Sequence, residues 1–110
     1  MGKQIKRFKD RKVLEFGDLR YSIYFKTTRI TSGIAIMPPN GKGDIDIGHK
    51  DAEEVFSVCK GKILITFPNT NKKYMLYQGD ALLIPSGVPH VVENKENEEA
   101  VFIFSIAPNS

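Results

Sequence analysis

Cysteine is almost missing from this sequence: Cys59 is the only one among 110 residues. A lone cysteine cannot form a disulfide within its own chain, which excludes the disulfide-stapled class of small secreted proteins. The sequence also lacks any apolar run near the ~18 residues needed to span a membrane as a helix. Its first twelve residues are basic and have no apolar core, so they do not form a secretory signal. We therefore expect a cytoplasmic protein with no membrane contact.

Charge of one sign is not in large excess either. The chain carries 16 lysines and arginines against 13 acidic residues, a net charge of +3. A basic arm can bind nucleic acid, but no nucleic-acid-binding motif follows this one, and we favour a solvated terminus. We expect no nucleic-acid partner. The arm covers residues 1–12 and its basic side chains are Lys3, Lys6, Arg7, Lys9, Arg11 and Lys12.

Helical periodicity is missing as well, whereas short segments rich in β-branched and aromatic residues recur along the chain. Glycine, proline and asparagine clusters separate these segments, and the pattern predicts an all-β sandwich or barrel. The length of 110 residues suits one domain. The predicted strands cover residues 21–25, 30–37, 45–49, 54–58, 62–67, 73–77, 81–84, 90–93 and 100–107.

Alternation within the strands predicts which side chains face the interior. Glu54, Phe56 and Val58 share one face, which we place inward, so Glu53 should face solvent. The same reasoning places Cys59 on an outer face. The phenylalanines assigned to the core are Phe56, Phe67, Phe102 and Phe104.

The two histidines of the chain, His49 and His90, each lie in a strand-like segment beside a turn. Glu54 follows His49 after a short polar turn, so a hairpin there would bring the two side chains together. Two imidazoles and one carboxylate on a rigid scaffold suit non-haem iron and related divalent metals. His49, Glu54 and His90 are therefore the candidate metal ligands. Alternation along residues 45–49 directs Asp44 and Asp46 away from the interior, so we do not count them as ligands.

Nine positions of this chain match the two sequence motifs of the cupin superfamily. The second motif is complete, at Gly79, Pro85, Gly87, His90 and Asn94. The first motif has four of its five residues, at Gly41, His49, Glu54 and Gly61, while Ile47 stands where the first histidine is expected. The sequence thus resembles the small germin-like members of this superfamily over residues 30–106.

The resemblance implies a small antiparallel β-barrel or jelly roll, the cupin double-stranded β-helix. It implies one cupin-like domain over residues 1–110, with the barrel at about 13–107. By position, His49, Glu54 and His90 would hold one divalent transition metal ion (Fe, Mn, Ni, Cu or Zn). Ile47 reduces the usual four ligands to three, which either opens a coordination position or marks a lost site. Cupins of this size are commonly homodimers, and residues 14–25 are the candidate contact.

The resemblance implies a metal-dependent enzyme of oxygenase, decarboxylase, isomerase or lyase type that acts on a small oxygenated metabolite. One alternative is a non-catalytic module that binds or senses a small molecule such as a sugar or sugar acid. A further alternative is a metal-free isomerase or epimerase that uses His90 and a tyrosine as acid and base.

Overall fold

The computed structural model describes residues 4–108, which form nine strands and one short 3-10 helix, with no α-helix in that range. Within it, no helix is long or apolar enough to cross a membrane. The 3-10 helix is Phe8–Asp10. The strands are β1 Leu14–Phe16, β2 Leu19–Lys26, β3 Thr31–Met37, β4 Glu53–Lys60, β5 Lys62–Phe67, β6 Lys72–Tyr77, β7 Ala81–Ile84, β8 Val91–Glu93 and β9 Ala100–Ala107.

The strands form two antiparallel sheets. A six-stranded sheet has the order β1-β2-β3-β9-β4-β7, and a three-stranded sheet has the order β6-β5-β8. The chain crosses between sheets after β4, β6, β7 and β8, which is the jelly-roll arrangement. The predicted fold class, an all-β antiparallel jelly roll, is confirmed.

The core lies between the two sheets, on the inner face of each strand. Buried and half-buried residues alternate along β3 and along β9 as far as Ile106, as expected where one face is covered. The predicted inward face of β4 is confirmed, because Glu54, Phe56 and Val58 are at most 6% exposed. All four phenylalanines assigned to the core are buried, and Cys59 is exposed.

The predicted strand at residues 45–49 is wrong. Within residues 45–49 only Asp46 forms a bridge, with His90, and the preceding bridge pairs Lys42 with Glu93. Three residues therefore lie between the two bridges on one side and two on the other, so residues 43–45 include one extra residue, as in a β-bulge. An extra residue reverses the alternation beyond it. Ile45 and Ile47 are consequently 60% and 78% exposed.

Candidate metal centre

His90 occupies the innermost position of the candidate site. Its ring is 1% exposed and packs edge to face on Phe56, with 5.7 Å between the ring centroids. The Nδ1 atom lies 3.0 Å from the carbonyl oxygen of Val88. When Nδ1–H donates to that carbonyl, the lone pair of Nε2 faces the cavity, which is the tautomer that metal-ligating histidines adopt.

Glu54 faces His90 from the opposite sheet. It lies in β4 between Ile106 of β9 and Ile84 of β7, and it is 6% exposed. Its Oε1 atom lies 3.5 Å from His90 Nε2, which is long for a hydrogen bond. Both atoms are buried and neither has a hydrogen-bond partner within the described part of the chain. Two buried polar atoms thus point at one small volume.

His49 approaches the same carboxylate from the loop before β4. Its Nε2 atom lies 3.9 Å from Glu54 Oε1, and its side chain is 28% exposed. The His49 carbonyl accepts a hydrogen bond of 2.8 Å from the Gly87 N–H, which fastens this loop to the turn before His90. Gly48 has φ +84°, and a Cβ there would lie 2.8 Å from the Val88 backbone, so the close approach requires glycine.

Asp46 is the residue that sequence reasoning missed. The expectation that its side chain points away from the interior is wrong, because Asp46 contacts His90 in the cavity, whereas Asp44 is exposed. The extra residue in this segment reverses the alternation and turns Asp46 toward His90, where its Oδ2 atom lies 3.5 Å from Nε2. Ligand atoms of Asp46, His49 and Glu54 all lie within 4.8 Å of one another.

The carboxylates determine the charge of His90. Burial disfavours the imidazolium, but the contacts with Asp46, Glu54 and the Val88 carbonyl prevail and raise the pKa of His90 to about 10. Burial also disfavours ionised Asp46, yet its contact with His90 and the Gly48 N–H lower the pKa of Asp46. Without a metal, a proton on His90 therefore offsets the negative charge of the site.

The donor set fits a divalent metal ion. With bonds of about 2.1 Å, the ligand atoms of a tetrahedral site lie about 3.4 Å apart. The separations here are 3.5 Å for His90 to Glu54 and to Asp46, and 3.9 Å for His49 to Glu54. The structure thus brings the three predicted side chains together and adds a fourth, Asp46.

The site opens into a cavity of about 380 Å³ between the two sheets. Most of the remaining lining is hydrocarbon, with Phe56, Phe102 and Phe104 at the inner end. Ile45 and Ile47 lie at its rim. The cavity is large enough for a small organic molecule that reaches the ligand atoms.

Residues 33–106 match the family model described as the cupin domain. Vicilin Cor a 11.0101 from Corylus avellana is 34% identical over 90 residues, which is 76% of this chain and 20% of that protein. The chain thus spans about a fifth of the length of this curated relative.

Two solved structures illustrate the fold. A predicted oxalate decarboxylase from Thermotoga maritima has a TM-score of 0.81 at 15% identity, covering 94% of this chain and 98% of that one. The polyketide cyclase RemF from Streptomyces resistomycificus has a TM-score of 0.80 at 19% identity, covering 99% and 81%. At these identities the likeness is one of fold.

Proposed function

Because the chain belongs to the cupin family, we propose that it is a metal-dependent enzyme that acts on a small oxygenated metabolite. His49, Glu54 and His90 hold one divalent transition metal ion, and Asp46 adds a fourth donor. The observation that carries this proposal is the buried pair Glu54 Oε1 and His90 Nε2, which face each other at 3.5 Å and have no hydrogen-bond partner among the described residues. Such atoms are costly to bury unless something binds them.

The side chains of such a site have different roles. The Val88 carbonyl fixes the tautomer of His90, and Phe56 holds its ring and keeps water from its buried face. A bound ion of this type supplies Lewis-acid polarisation of a substrate oxygen, or activation of oxygen. Asp46 would complete the ligand set, and its side chain is 33% exposed, so its carboxylate can also accept a hydrogen bond from a molecule in the cavity.

The comparisons do not select one reaction. The names of the two structural neighbours describe a decarboxylase and a cyclase, which are different chemistries on one fold. Ligand binding without any conversion would favour the alternative, a non-catalytic small-molecule module.

Cobalt substitution tests the metal site independently of any reaction. Metal-free protein titrated with Co(II) should develop visible d–d absorption that saturates at one equivalent, because histidine and carboxylate donors create a low-symmetry field. A His49→Ala, His90→Ala double variant should give the spectrum of free aqueous Co(II). A wild-type spectrum equal to that of the variant would contradict the proposal. Turnover is then sought by comparing loaded and metal-free protein on small oxygenated acids.

We base the proposed assembly and location on the resemblance to small cupins. We propose a homodimer that uses residues 14–25, since β1 is an edge strand of the six-stranded sheet and edge strands favour pairing or covering. A solution mass equal to one chain would contradict it.

We also propose a cytoplasmic location, because an exposed free thiol at Cys59 suits a reducing compartment.

A further inference from the structure

Lys26 is a charged residue that a second irregularity turns into the cavity. Leu19, Tyr21 and Ile23 line the cavity from alternate positions of β2. The register between β2 and β3 then shifts between Ile23 and Phe25. Because a shift of one residue reverses the alternation, Lys26 faces the cavity where Phe25 otherwise would. Bulges commonly re-aim a side chain beside a functional site.

Lys26 lies in one row with a proposed metal ligand. It pairs with Thr31 of β3, Thr31 pairs with Ile106 of β9, and Ile106 pairs with Glu54 of β4. All four line the cavity. Three strand spacings of about 4.8 Å place the Cα atoms of Lys26 and Glu54 about 14 Å apart. Lys26 and Glu54 therefore lie at the two ends of this row on one inner face.

Lys26 has no acidic partner among the residues that the structure describes. Among the described residues that line the cavity, it is the only lysine or arginine. No acidic side chain in residues 4–108 forms an ion pair with it. Lys26 is an exposed residue on the lining of the cavity. A cation in this position is available to an anionic group of a bound molecule.

The floor between the two ends is hydrocarbon. Ile106 separates Thr31 from Glu54 in the row, and the next row inward contains Phe104 and Phe56. Across the opening, the exposed side chains of Ile45 and Ile47 lie at the rim. A molecule with an apolar middle would cover these surfaces and remove them from water.

We propose that the substrate is an extended organic diacid, with an oxygen-donor head at the metal ligands, an apolar middle of several carbons and a distal carboxylate on Lys26. This inference rests on the proposed function, because the head group needs the metal. Lys26 is then a specificity-determining residue that selects a diacid over a monoacid of the same length.

The test uses two seven-carbon probes, 2-oxoheptanoate and 2-oxopimelate, which differ only in the distal carboxylate. Their dissociation constants are measured by titration calorimetry on Co(II)-loaded protein. We expect 2-oxopimelate to bind about tenfold more tightly than 2-oxoheptanoate, as for a partly exposed ion pair. Lys26→Gln should bring the two within twofold, whereas Lys73→Gln, the same charge change on β6, should keep the preference.

Two outcomes distinguish a failure of the Lys26 assignment from a failure of the proposed function. Equal binding of the two probes by the wild type, or a preference that survives Lys26→Gln, overturns the assignment of Lys26 and leaves the metal site standing. If the probes bind equally well to cobalt-loaded protein, to metal-free protein and to the His49→Ala, His90→Ala variant, the proposed function itself is overturned.

Discussion

At the scale of single residues, His90 links the stability of the metal-free protein to pH. Its pKa is raised from 6.5 to about 10, so the folded state binds this proton more tightly than the unfolded state. The resulting stabilisation is complete below about pH 6.5 and is lost as the pH rises through 10.

We therefore expect the free energy of unfolding of metal-free protein to fall by on the order of a few kcal/mol between pH 6.5 and pH 10. Urea denaturation across this range measures the fall. His90→Gln should lose most of it, while titrating groups that do not contact His90 contribute equally to both proteins. Identical pH dependence in the two proteins would show that His90 carries no such linkage.

We predict different effects on metal affinity for substitutions at Asp46 and at Ile47. Asp46→Asn should weaken Co(II) binding at least tenfold, because it removes a charged oxygen 3.5 Å from His90 Nε2. Ile47→His restores the residue expected from the motif, but position 47 is 78% exposed, so we expect less than a threefold change. Competition with a chelating dye measures both constants. A larger gain from Ile47→His than loss from Asp46→Asn would reverse these roles.

The sequence was sufficient to single out His49, Glu54 and His90, because their motif spacing depends on local chain geometry. It was not sufficient for Asp46. The direction of that side chain depends on one extra residue relative to residues 90–93, which are distant in sequence. Alternation counted along one strand cannot detect a register shift against a partner that is not yet known.

At the scale of elements, the loop that carries His49 depends on its close contact with the turn before His90. Gly48→Ala and Gly79→Ala are matched variants, since both glycines have positive φ, +84° and +92°. A Cβ at Gly48 meets the Val88 backbone at 2.8 Å, whereas a Cβ at Gly79 meets nothing within 4 Å.

Both alanine variants should lose about 1–2 kcal/mol of stability from the left-handed backbone, measured by urea denaturation. Only Gly48→Ala should also weaken Co(II) binding, by at least fivefold, because the clash displaces His49. Equal cobalt affinity in the two variants would show that this contact does not position the ligand.

The strands themselves were largely predictable from the sequence. Predicted and observed bounds agree for β5, β7 and β9, where apolar residues are flanked by glycine, proline or asparagine turns. The exception, residues 45–49, has a strand-like pattern but lacks continuous pairing. Both register shifts that line the cavity, near Ile23 and near Asp46, depend on the partner strand and are not visible in the local pattern.

At the scale of the whole molecule, local patterns did not decide between a β-sandwich and a β-barrel, because strand order depends on pairing between distant segments. The motif resemblance supplied the jelly roll, which the two sheets confirm. In this fold, β4 and the segment leading into β8 lie in opposite sheets and face each other. A glutamate and a histidine distant in sequence thus become neighbours.

The most direct test of the account is the metal content of the protein, measured by elemental analysis after purification without an affinity tag or chelator. The matched control is the His49→Ala, His90→Ala double variant prepared in the same way. The account predicts close to one equivalent of a transition metal in the wild type and none in the variant. Wild-type protein that carries no metal and takes up no added iron, manganese, nickel, copper or zinc would contradict it.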